Sequence, residues 1–250
     1  MHEAKLHPAN VFTTFTYADD KLPINGSLHY PDFQGFMHRL RAKLNYSTTD
    51  RHKVRFFCAG EYGSKSARPH YHALLFNFQP PDLKLYGEEG PNAIYRSAYL
   101  DDLWGHGETK SGELTFESAA YCARYCMDKV TGDRADAHYR VVTDFSTGEM
   151  QSLAPEFAHM SRRPGLGAGW FHKFQSDVYP HGKVVVNGKE VYPPKFYDRL
   201  FEKVDEFAMA RLRERRIADG ESRSADNTRA RLLVKDQVTK ARVARYARDF

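Results

Sequence analysis

The chain has 250 residues, of which 41% are hydrophobic and 14% aromatic, enough for the core of one catalytic domain and an appendage. Its net charge of +5 permits a nucleic-acid partner without requiring one. Three cysteines give no disulfide framework, and we find neither a membrane-spanning stretch nor the apolar core of a secretory signal. Composition therefore argues against a secreted or membrane protein and favours a cytosolic one.

The first part of the chain predicts strands around one helix. β-Branched and aromatic residues predict strands over residues 11–17 and 54–59, with an antiparallel neighbour over 71–78. An apolar stripe at helical spacing predicts a helix over 31–44. Proline and glycine punctuate residues 79–97, which we predict as a loop or insertion.

The middle of the chain predicts a helix and two hairpins. The helix covers residues 114–130, with Thr115 as its N-cap and Gly132 as its stop. One hairpin pairs residues 139–144 with 150–157. The other covers 184–192, where Asn187-Gly188 is typical of a two-residue turn.

From residue 196 onward Ala, Arg, Lys and Glu dominate, which predicts helices over 196–217 and 225–247, broken at Asp219-Gly220. Residues 201–250 hold 13 Lys and Arg against 9 Asp and Glu, a net +4 of the chain's +5. We therefore predict a catalytic domain over 1–195 and a basic helical appendage over 196–250. Because hairpin signals outnumber helices before residue 196, the predicted class is α+β, with a central antiparallel sheet flanked by helices.

Two histidines lie one residue apart on a predicted buried strand. His70 and His72 point to the same side, because successive side chains of a strand alternate between faces. Glu61 ends the preceding strand and supplies a carboxylate. Two imidazoles and a carboxylate suit Mn²⁺, and also accept Mg²⁺ or Zn²⁺. The alternative is a pair of core histidines without a metal, and these residues alone do not decide between the two.

Two tyrosines follow at helical i,i+4 spacing. Tyr121 and Tyr125 differ by about 40° around a helix, so both phenols can reach one cleft, and Lys129 continues that face. Aromatic pairs at this spacing also form cores, but small residues on another face of the same helix can pack on the sheet instead. A tyrosine can attack a phosphodiester, although ionising it at pH 7 costs about 4 kcal/mol. Lys129 and a nearby metal would offset that cost.

Four arginines are candidates for contacts with a DNA backbone. Arg68 precedes the histidine pair, Arg124 lies between the two tyrosines, and Arg162 and Arg163 form a basic turn before a glycine-rich bend. Solvated surface arginines would give the same pattern.

Several segments together resemble the HUH endonucleases, the initiators of rolling-circle replication. GEY followed by RPHYHALLF is similar to the metal-binding motif of that family, VFTTFTYADDKLP to its first motif, and YCARY to its tyrosine helix in the two-tyrosine form. The order of the motifs is also that of the family. SAYLDDLWGHG, TFESAAYCARYC and EFAHMSRRPGLGAGWF resemble more closely the initiators of small single-stranded-DNA phages of the gokushovirus branch.

The resemblance implies a fold, an activity and a setting. The fold would be the HUH sheet with a ferredoxin- or RRM-like core. His70, His72 and Glu61 would bind Mn²⁺ or Mg²⁺, and Tyr121 and Tyr125 would be the nucleophiles. The activity would be a nick in single-stranded DNA at the replication origin, with the 5′-phosphate held on tyrosine and later rejoined. The partners would be origin DNA and the host replication machinery, in the host bacterial cytoplasm.

Three other functions stay open on the residues alone. Another HUH enzyme, a relaxase or a transposase, would share the motifs. A hydrolase could use the histidines and a metal-bound water, without a tyrosine adduct. A non-catalytic nucleic-acid-binding module would bind DNA equally well without metal and never cut it.

Overall fold

The computed structural model describes residues 1–44, 53–63, 66–90, 92–144 and 148–244, without the side chains of 125–128, 141–144, 149 and 243–244. The strands are β1 (Asn10–Thr16), β2 (Arg55–Tyr62), β3 (Pro69–Phe76), β4 (Lys84–Glu89), β5 (Asn92–Arg96), β6 (Thr109–Glu113), β7 (Arg140–Asp144), β8 (Glu149–Ser152), β9 (Phe157–Met160), β10 (Val184–Val186) and β11 (Lys189–Val191). The helices are α1 (Tyr30–Lys43), α2 (Ala98–Trp104), α3 (Phe116–Asp128), α4 (Ala135–Tyr139), α5 (Ala168–Val178), α6 (Lys195–Glu202), α7 (Glu206–Ser222) and α8 (Arg229–Ala244).

Seven strands form one sheet in the order β4-β5-β6-β1-β3-β2-β9, and every pairing in it is antiparallel. Two further pairs, β7 with β8 and β10 with β11, form separate hairpins. This confirms the predicted α+β class, a central antiparallel sheet flanked by helices and followed by C-terminal helices. None of the described helices is both long and apolar enough to cross a membrane.

One face of the sheet carries an aromatic core under α1 and α2. Phe15 of β1 contacts the rings of Phe33 and Phe36 of α1 and of Trp104 of α2. The predicted apolar stripe of the first helix is therefore confirmed, and it is the face that α1 buries on the sheet. Tyr71 joins the same cluster and is fully buried, as its strand parity predicts.

The opposite face of the same strands packs against α3. Leu74 and Phe76 of β3 cluster there with Ala59 of β2 and Cys122 of α3. Because side chains alternate along β3, His70 and His72 lie on this face, on the side of α3. The fold thus places the predicted histidine pair and the predicted tyrosine helix on one side of the sheet.

The prediction of a loop over residues 79–97 is wrong, because β4 and β5 form a hairpin there, at the edge of the sheet. A bulge lies between Leu85 and Gly87, and Gly90 adopts a positive φ of 56°. Leu85 remains 64% exposed. Backbone pairing at a sheet edge, and not burial, fixes this hairpin, so the hydrophobic pattern did not reveal it.

The sequence also failed to indicate β6, whose residues are mostly polar. Its buried hydroxyls are held by hydrogen bonds. Thr109 donates from both its backbone N–H and its hydroxyl to Asp101, at 2.6 and 2.7 Å, and Ser111 pairs with Thr13 at 3.1 Å. A strand that satisfies polar groups in this way has no apolar alternation to read.

Both predicted hairpins are confirmed. β7 pairs with β8, although part of its turn, residues 145–147, lies outside the described chain. β10 pairs with β11 around Asn187 and Gly188, both of which have positive φ, at 48° and 73°. Positive φ at both central residues is what the two-residue hairpin turn requires.

The prediction of one helix over residues 196–217 is wrong. α6 ends at Glu202 and α7 begins at Glu206, because Asp205 leaves the helical conformation and its carboxylate accepts a hydrogen bond from the Ala208 N–H at 2.8 Å. Asp219 and Gly220 lie inside α7, so the predicted break there is wrong as well. An N-cap aspartate ends one helix and starts another without any glycine or proline.

The chain divides into two compact units, one covering Met1–Leu166 and the other starting at Gly167. The second unit has its own core of Phe171, Val178, Tyr179, Val184, Tyr197, Met209 and Leu212. The predicted division of function at residues 195 and 196 is a statement about activity, which compactness does not test, and it stays a prediction.

Candidate metal centre and tyrosine helix

The pairing of β2 with β3 assembles the three predicted metal ligands. Glu61 lies directly opposite His70 in the register, and Ala59 lies opposite His72. His70 Nε2 is 2.6 Å and His72 Nε2 is 2.8 Å from the same oxygen, Glu61 Oε1. The three ligand atoms lie within 4.8 Å of one another, the only such group of three in the described residues. Strand register alone therefore converges two imidazoles and a carboxylate on one point.

The second nitrogen of each imidazole also has a partner. His70 Nδ1 is 3.1 Å from the Arg68 carbonyl oxygen, and His72 Nδ1 is 2.9 Å from the Thr14 hydroxyl. A carbonyl oxygen only accepts, so Nδ1 of His70 must donate. A neutral His70 then presents a lone pair from Nε2 to a carboxylate oxygen, which is repulsive unless a cation lies between them. The donor set and its outer partners thus fit a divalent cation such as Mn²⁺ or Mg²⁺.

The site is largely shielded from water. Glu61 and His72 are buried, at 7% and 4% exposed, whereas His70 is partly accessible. Burial opposes ionisation of Glu61, but hydrogen bonds to His70 and His72 outweigh it and lower the pKa of this carboxyl. Burial also lowers the pKa of His72, more than its hydrogen bond to Glu61 raises it. Both shifts favour an ionised Glu61 and a neutral His72, the forms that bind a metal.

Helix α3 brings Tyr121 against the same imidazole. The rings of Tyr121 and His72 meet edge to face at 5.1 Å, and Phe12 of β1 contacts both. The next residue, Cys122, donates a hydrogen bond from its thiol to the His72 carbonyl at 3.4 Å. The start of α3 is fixed by a capping box, in which the Thr115 hydroxyl accepts from the Ser118 N–H and the Ser118 hydroxyl accepts from the Thr115 N–H. The predicted N-cap is confirmed.

Comparison with known proteins identifies the family. Residues 10–130 match the family of replication-associated proteins described by the name ORF2. The replication-associated protein VP4 of Bdellovibrio phage phiMH2K is 32% identical over 233 residues, 89% of this chain and 69% of that protein. The chain belongs to this family of phage replication-associated proteins.

Two further relatives support the assignment. The replication-associated protein ORF2 of Spiroplasma virus 4 is 30% identical over 225 residues, 86% of this chain and 65% of that protein. The replication-associated protein ORF4 of Chlamydia phage 1 is 27% identical over 207 residues, 81% of this chain and 48% of that protein. No solved structure matches the chain. The predicted resemblance to initiators of gokushovirus-like phages is confirmed at the level of the family.

The matched range of this replication-associated protein contains the whole candidate site. It begins at the first residue of β1 and ends just after α3, so it includes Glu61, His70, His72 and Tyr121. It excludes the second compact unit, which starts at Gly167.

Not every predicted site residue is described with the triad. Tyr125 lies one helical turn after Tyr121 on α3, but its side chain is outside the described part of the chain. Lys129 lies beyond the helix, because α3 ends at Asp128 and Lys129 has an extended ψ of 120°. The predicted helix end near Gly132 is therefore wrong. Lys129 is exposed, and its charge, after burial and Arg162, helps to lower the pKa of His159 on β9.

The predicted DNA-binding arginines occupy different surroundings. Arg68 donates to Asp19 at 2.5 Å and to the Tyr17 carbonyl at 2.8 Å, while its own carbonyl accepts from His70. It therefore acts as part of the scaffold around His70. Arg124 is half-buried on α3, and Arg162 and Arg163 are exposed in the turn after β9. Their contact with DNA stays a prediction.

Thr14 is the site residue that sequence reasoning missed. It lies opposite His72 in the β1–β3 register, and its hydroxyl meets the imidazole. Its parity on β1, shared with Phe12, was readable from the sequence. The pairing of β1 with β3 was not, and without it no partner for His72 could be named.

Proposed function

We propose that this replication-associated protein is an HUH endonuclease that nicks single-stranded DNA at the phage origin and later rejoins the ends. The observation that carries the proposal is the contact of Tyr121 with His72, whose Nε2 faces Glu61 Oε1 together with His70. A nucleophile class known to attack phosphodiesters is thus held beside a ligand set suited to a divalent cation.

The ligands and their supports have separate roles. His70, His72 and Glu61 would hold Mn²⁺ or Mg²⁺, which when bound supplies charge to polarise and orient the scissile phosphate. The Arg68 carbonyl and the Thr14 hydroxyl fix the two imidazole rings, so that each Nε2 stays directed at the cation.

The transfer step is a displacement at phosphorus. The Tyr121 oxygen forms a bond to the phosphorus, the bond from phosphorus to O3′ breaks, and O3′ takes up a proton as the free 3′-hydroxyl. The 5′-phosphate remains on tyrosine. Resealing runs the same exchange backwards, as a 3′-hydroxyl attacks the phosphotyrosine and the phenol leaves.

A second tyrosine would extend this chemistry to two sequential transfers. Tyr125 is one helical turn from Tyr121, and it would attack a regenerated origin while Tyr121 still holds the first end. Ionising either phenol at pH 7 costs about 4 kcal/mol, which the Lys129 ammonium would help to offset.

The substrate and setting follow from this chemistry. The free 3′-hydroxyl would prime the host polymerase in the bacterial cytoplasm, and the exposed Arg162 and Arg163, with Arg124 of α3, would contact the DNA backbone.

The proposal is tested with an origin oligonucleotide labelled at its 3′ end. Nicking transfers that label to the protein, because the 5′-phosphate of the downstream piece is the part that stays attached. Wild type, Tyr121→Phe, Tyr125→Phe, the double variant and His72→Ala are compared with Mn²⁺ and with EDTA on a denaturing gel.

We expect a labelled protein band that needs Mn²⁺ and His72 and disappears in the double variant. Cleavage without any labelled protein would indicate a hydrolase with a water nucleophile. Binding that is equal in EDTA, with no cleavage of a strand carrying the origin, would indicate a binding module.

A further inference from the structure

The second compact unit contains a cleft lined by cations. Helices α6 and α7 pack against each other and enclose a space of about 250 Å³. Four basic side chains line it: Lys195, Arg199, Arg213 and Arg216. The buried Met209 and the carboxylate of Asp198 complete the lining. We propose that this cleft binds backbone phosphates of nucleic acid.

Helical spacing explains why these charges converge. On α6, Lys195, Asp198, Arg199 and Glu202 recur at i, i+3, i+4 and i+7, which is one face of a helix. On α7, Met209, Arg213 and Arg216 recur at i, i+4 and i+7. Each helix therefore presents one stripe to the shared cleft, and both stripes are basic.

The two acidic residues of the α6 stripe are already neutralised by arginines of α7. Asp198 binds Arg216 at 2.7 and 3.2 Å, and Glu202 binds Arg213 at 2.8 Å. The Tyr179 hydroxyl also donates to Asp198 at 3.0 Å. These pairs leave the cleft with an excess of two positive charges.

Lys195 and Arg199 supply that excess. Both are exposed, and in the described part of the chain neither has a hydrogen-bond or ion-pair partner. They lie one turn apart, about 6 Å along the helix axis, so two successive phosphates of a strand can be contacted by neighbouring cations.

The positive surface continues beyond the cleft. The ring of Tyr192 lies 3.7 Å from the Lys183 ammonium and 5.1 Å from the Arg216 guanidinium. This contact, together with Asp198, fixes Arg216 from two sides. A phosphate entering the cleft thus meets cations that are held in place, which reduces the entropy lost on binding.

The choice of nucleic acid as the polyanion rests on the proposed function. The ligand is the sugar–phosphate backbone and not particular bases, because the cleft offers ammonium and guanidinium groups only. The replication-associated family match ends at residue 130, so the cleft lies outside the matched region.

A charge-matched pair of double variants tests the proposal. Lys195→Gln/Arg199→Gln removes two charges from the cleft. Arg211→Gln/Arg215→Gln removes two exposed charges from α7, and at 100° per residue Arg211 and Arg215 each point roughly 160° away from Arg213. Affinity for a labelled poly-dT strand is measured by fluorescence anisotropy in EDTA at several salt concentrations.

We expect the cleft variant to bind roughly tenfold more weakly and its salt dependence to fall by about 1.4, for two lost phosphate contacts on a single strand. The α7 variant should stay close to wild type. Lys195→Arg/Arg199→Lys, which keeps both charges, should also retain affinity. Equal losses in the two Gln variants, or an unchanged salt dependence in the cleft variant, would overturn the proposal.

Failure of this proposal is distinguishable from failure of the nicking mechanism. Binding is measured without metal and on a strand without an origin, so it does not require cleavage. If wild type never nicks, the contrast between the two Gln variants still tests the cleft. If both variants bind equally while wild type nicks, only the cleft proposal is wrong.

Discussion

At the scale of single residues, hydrogen bonds behind the imidazoles decide what the site can bind. The Arg68 carbonyl and the Thr14 hydroxyl occupy the two Nδ1 atoms, so both Nε2 atoms face Glu61. The three ligands would form a poor hydrogen-bonded cluster on their own, since Nε2 of a neutral His70 has no proton to share. They form a good set of ligands for a cation.

Thr14 should therefore control metal affinity from outside the ligand set. Thr14→Val keeps the shape of the side chain but removes the hydroxyl beside His72 Nδ1, so the ring loses its orientation. We expect Mn²⁺ affinity to fall about tenfold or more, as for other outer partners of metal ligands. Isothermal titration with Mn²⁺ measures this, and Thr14→Ser should bind like wild type. Unchanged affinity in Thr14→Val would show that the hydroxyl does not orient His72.

Tyr71, between the two histidines, should make stability sensitive to alkali. Burial raises its pKa to about 12, and its hydroxyl pairs with that of Tyr17 at 2.9 Å and accepts from the His29 N–H at 3.0 Å. An unfolded tyrosine ionises near pH 10, so stability is complete below about pH 10 and is lost as pH rises through 12. Tyr17, whose pKa burial also raises, adds to the same effect.

Urea unfolding at pH 8 and pH 11 measures this loss. Tyr71→Phe removes one of the two phenols, so its free energy of unfolding should fall less between the two pH values than that of wild type. An equal fall in both proteins would mean that Tyr71 does not carry the alkaline sensitivity.

At the scale of elements, α3 depends on its first turn to place Tyr121. Thr115→Ala removes one half of the capping box and should lower the free energy of unfolding by about 1 kcal/mol. Thr131 offers a matched control, because it precedes a short 3₁₀ helix without a side-chain cap. Thr131→Ala should change stability little in the same urea titration. Similar losses in the two variants would contradict a special role for the cap.

Strand register explains what the sequence could and could not predict about the site. His70, His72 and Glu61 were identified because parity along one strand and the end of its neighbour are local patterns. Thr14 was missed because its contact depends on the pairing of β1 with β3, two strands more than fifty residues apart in the chain. Local sequence gives the direction of a side chain but not the strand that it meets.

The same distinction applies to the other elements. Amphipathic α1 and the Asn187-Gly188 hairpin were predicted, since burial and turn chemistry mark them directly. The β4–β5 hairpin and β6 were not, because edge pairing and buried hydroxyls hold them without an apolar pattern. The end of α6 was missed because a single aspartate, Asp205, starts the next helix.

At the scale of the whole molecule, the two compact units have separate cores and separate candidate sites. The metal ligands belong to the unit that ends at Leu166, and the basic cleft belongs to the unit that starts at Gly167. A bound metal should therefore stabilise one unit without the other.

Calorimetry with and without Mn²⁺ tests this separation. At a hundredfold excess over its dissociation constant, Mn²⁺ should stabilise the first unit by about 2.7 kcal/mol. We expect one thermal transition to move up and another to stay in place, and neither to move in His72→Ala. A single transition that moves as a whole would contradict independent units.

The most direct test of the central claim is to trap the covalent product and find the tyrosine that carries it. Trypsin cleaves after Arg124 and so separates Tyr121 and Tyr125 into different peptides. Wild type is reacted with an origin strand and Mn²⁺, digested with trypsin and nuclease, and analysed by mass spectrometry. The account predicts a nucleotide linked through its 5′-phosphate to the peptide that contains Tyr121 or the one that contains Tyr125. Efficient nicking with neither peptide modified would contradict it.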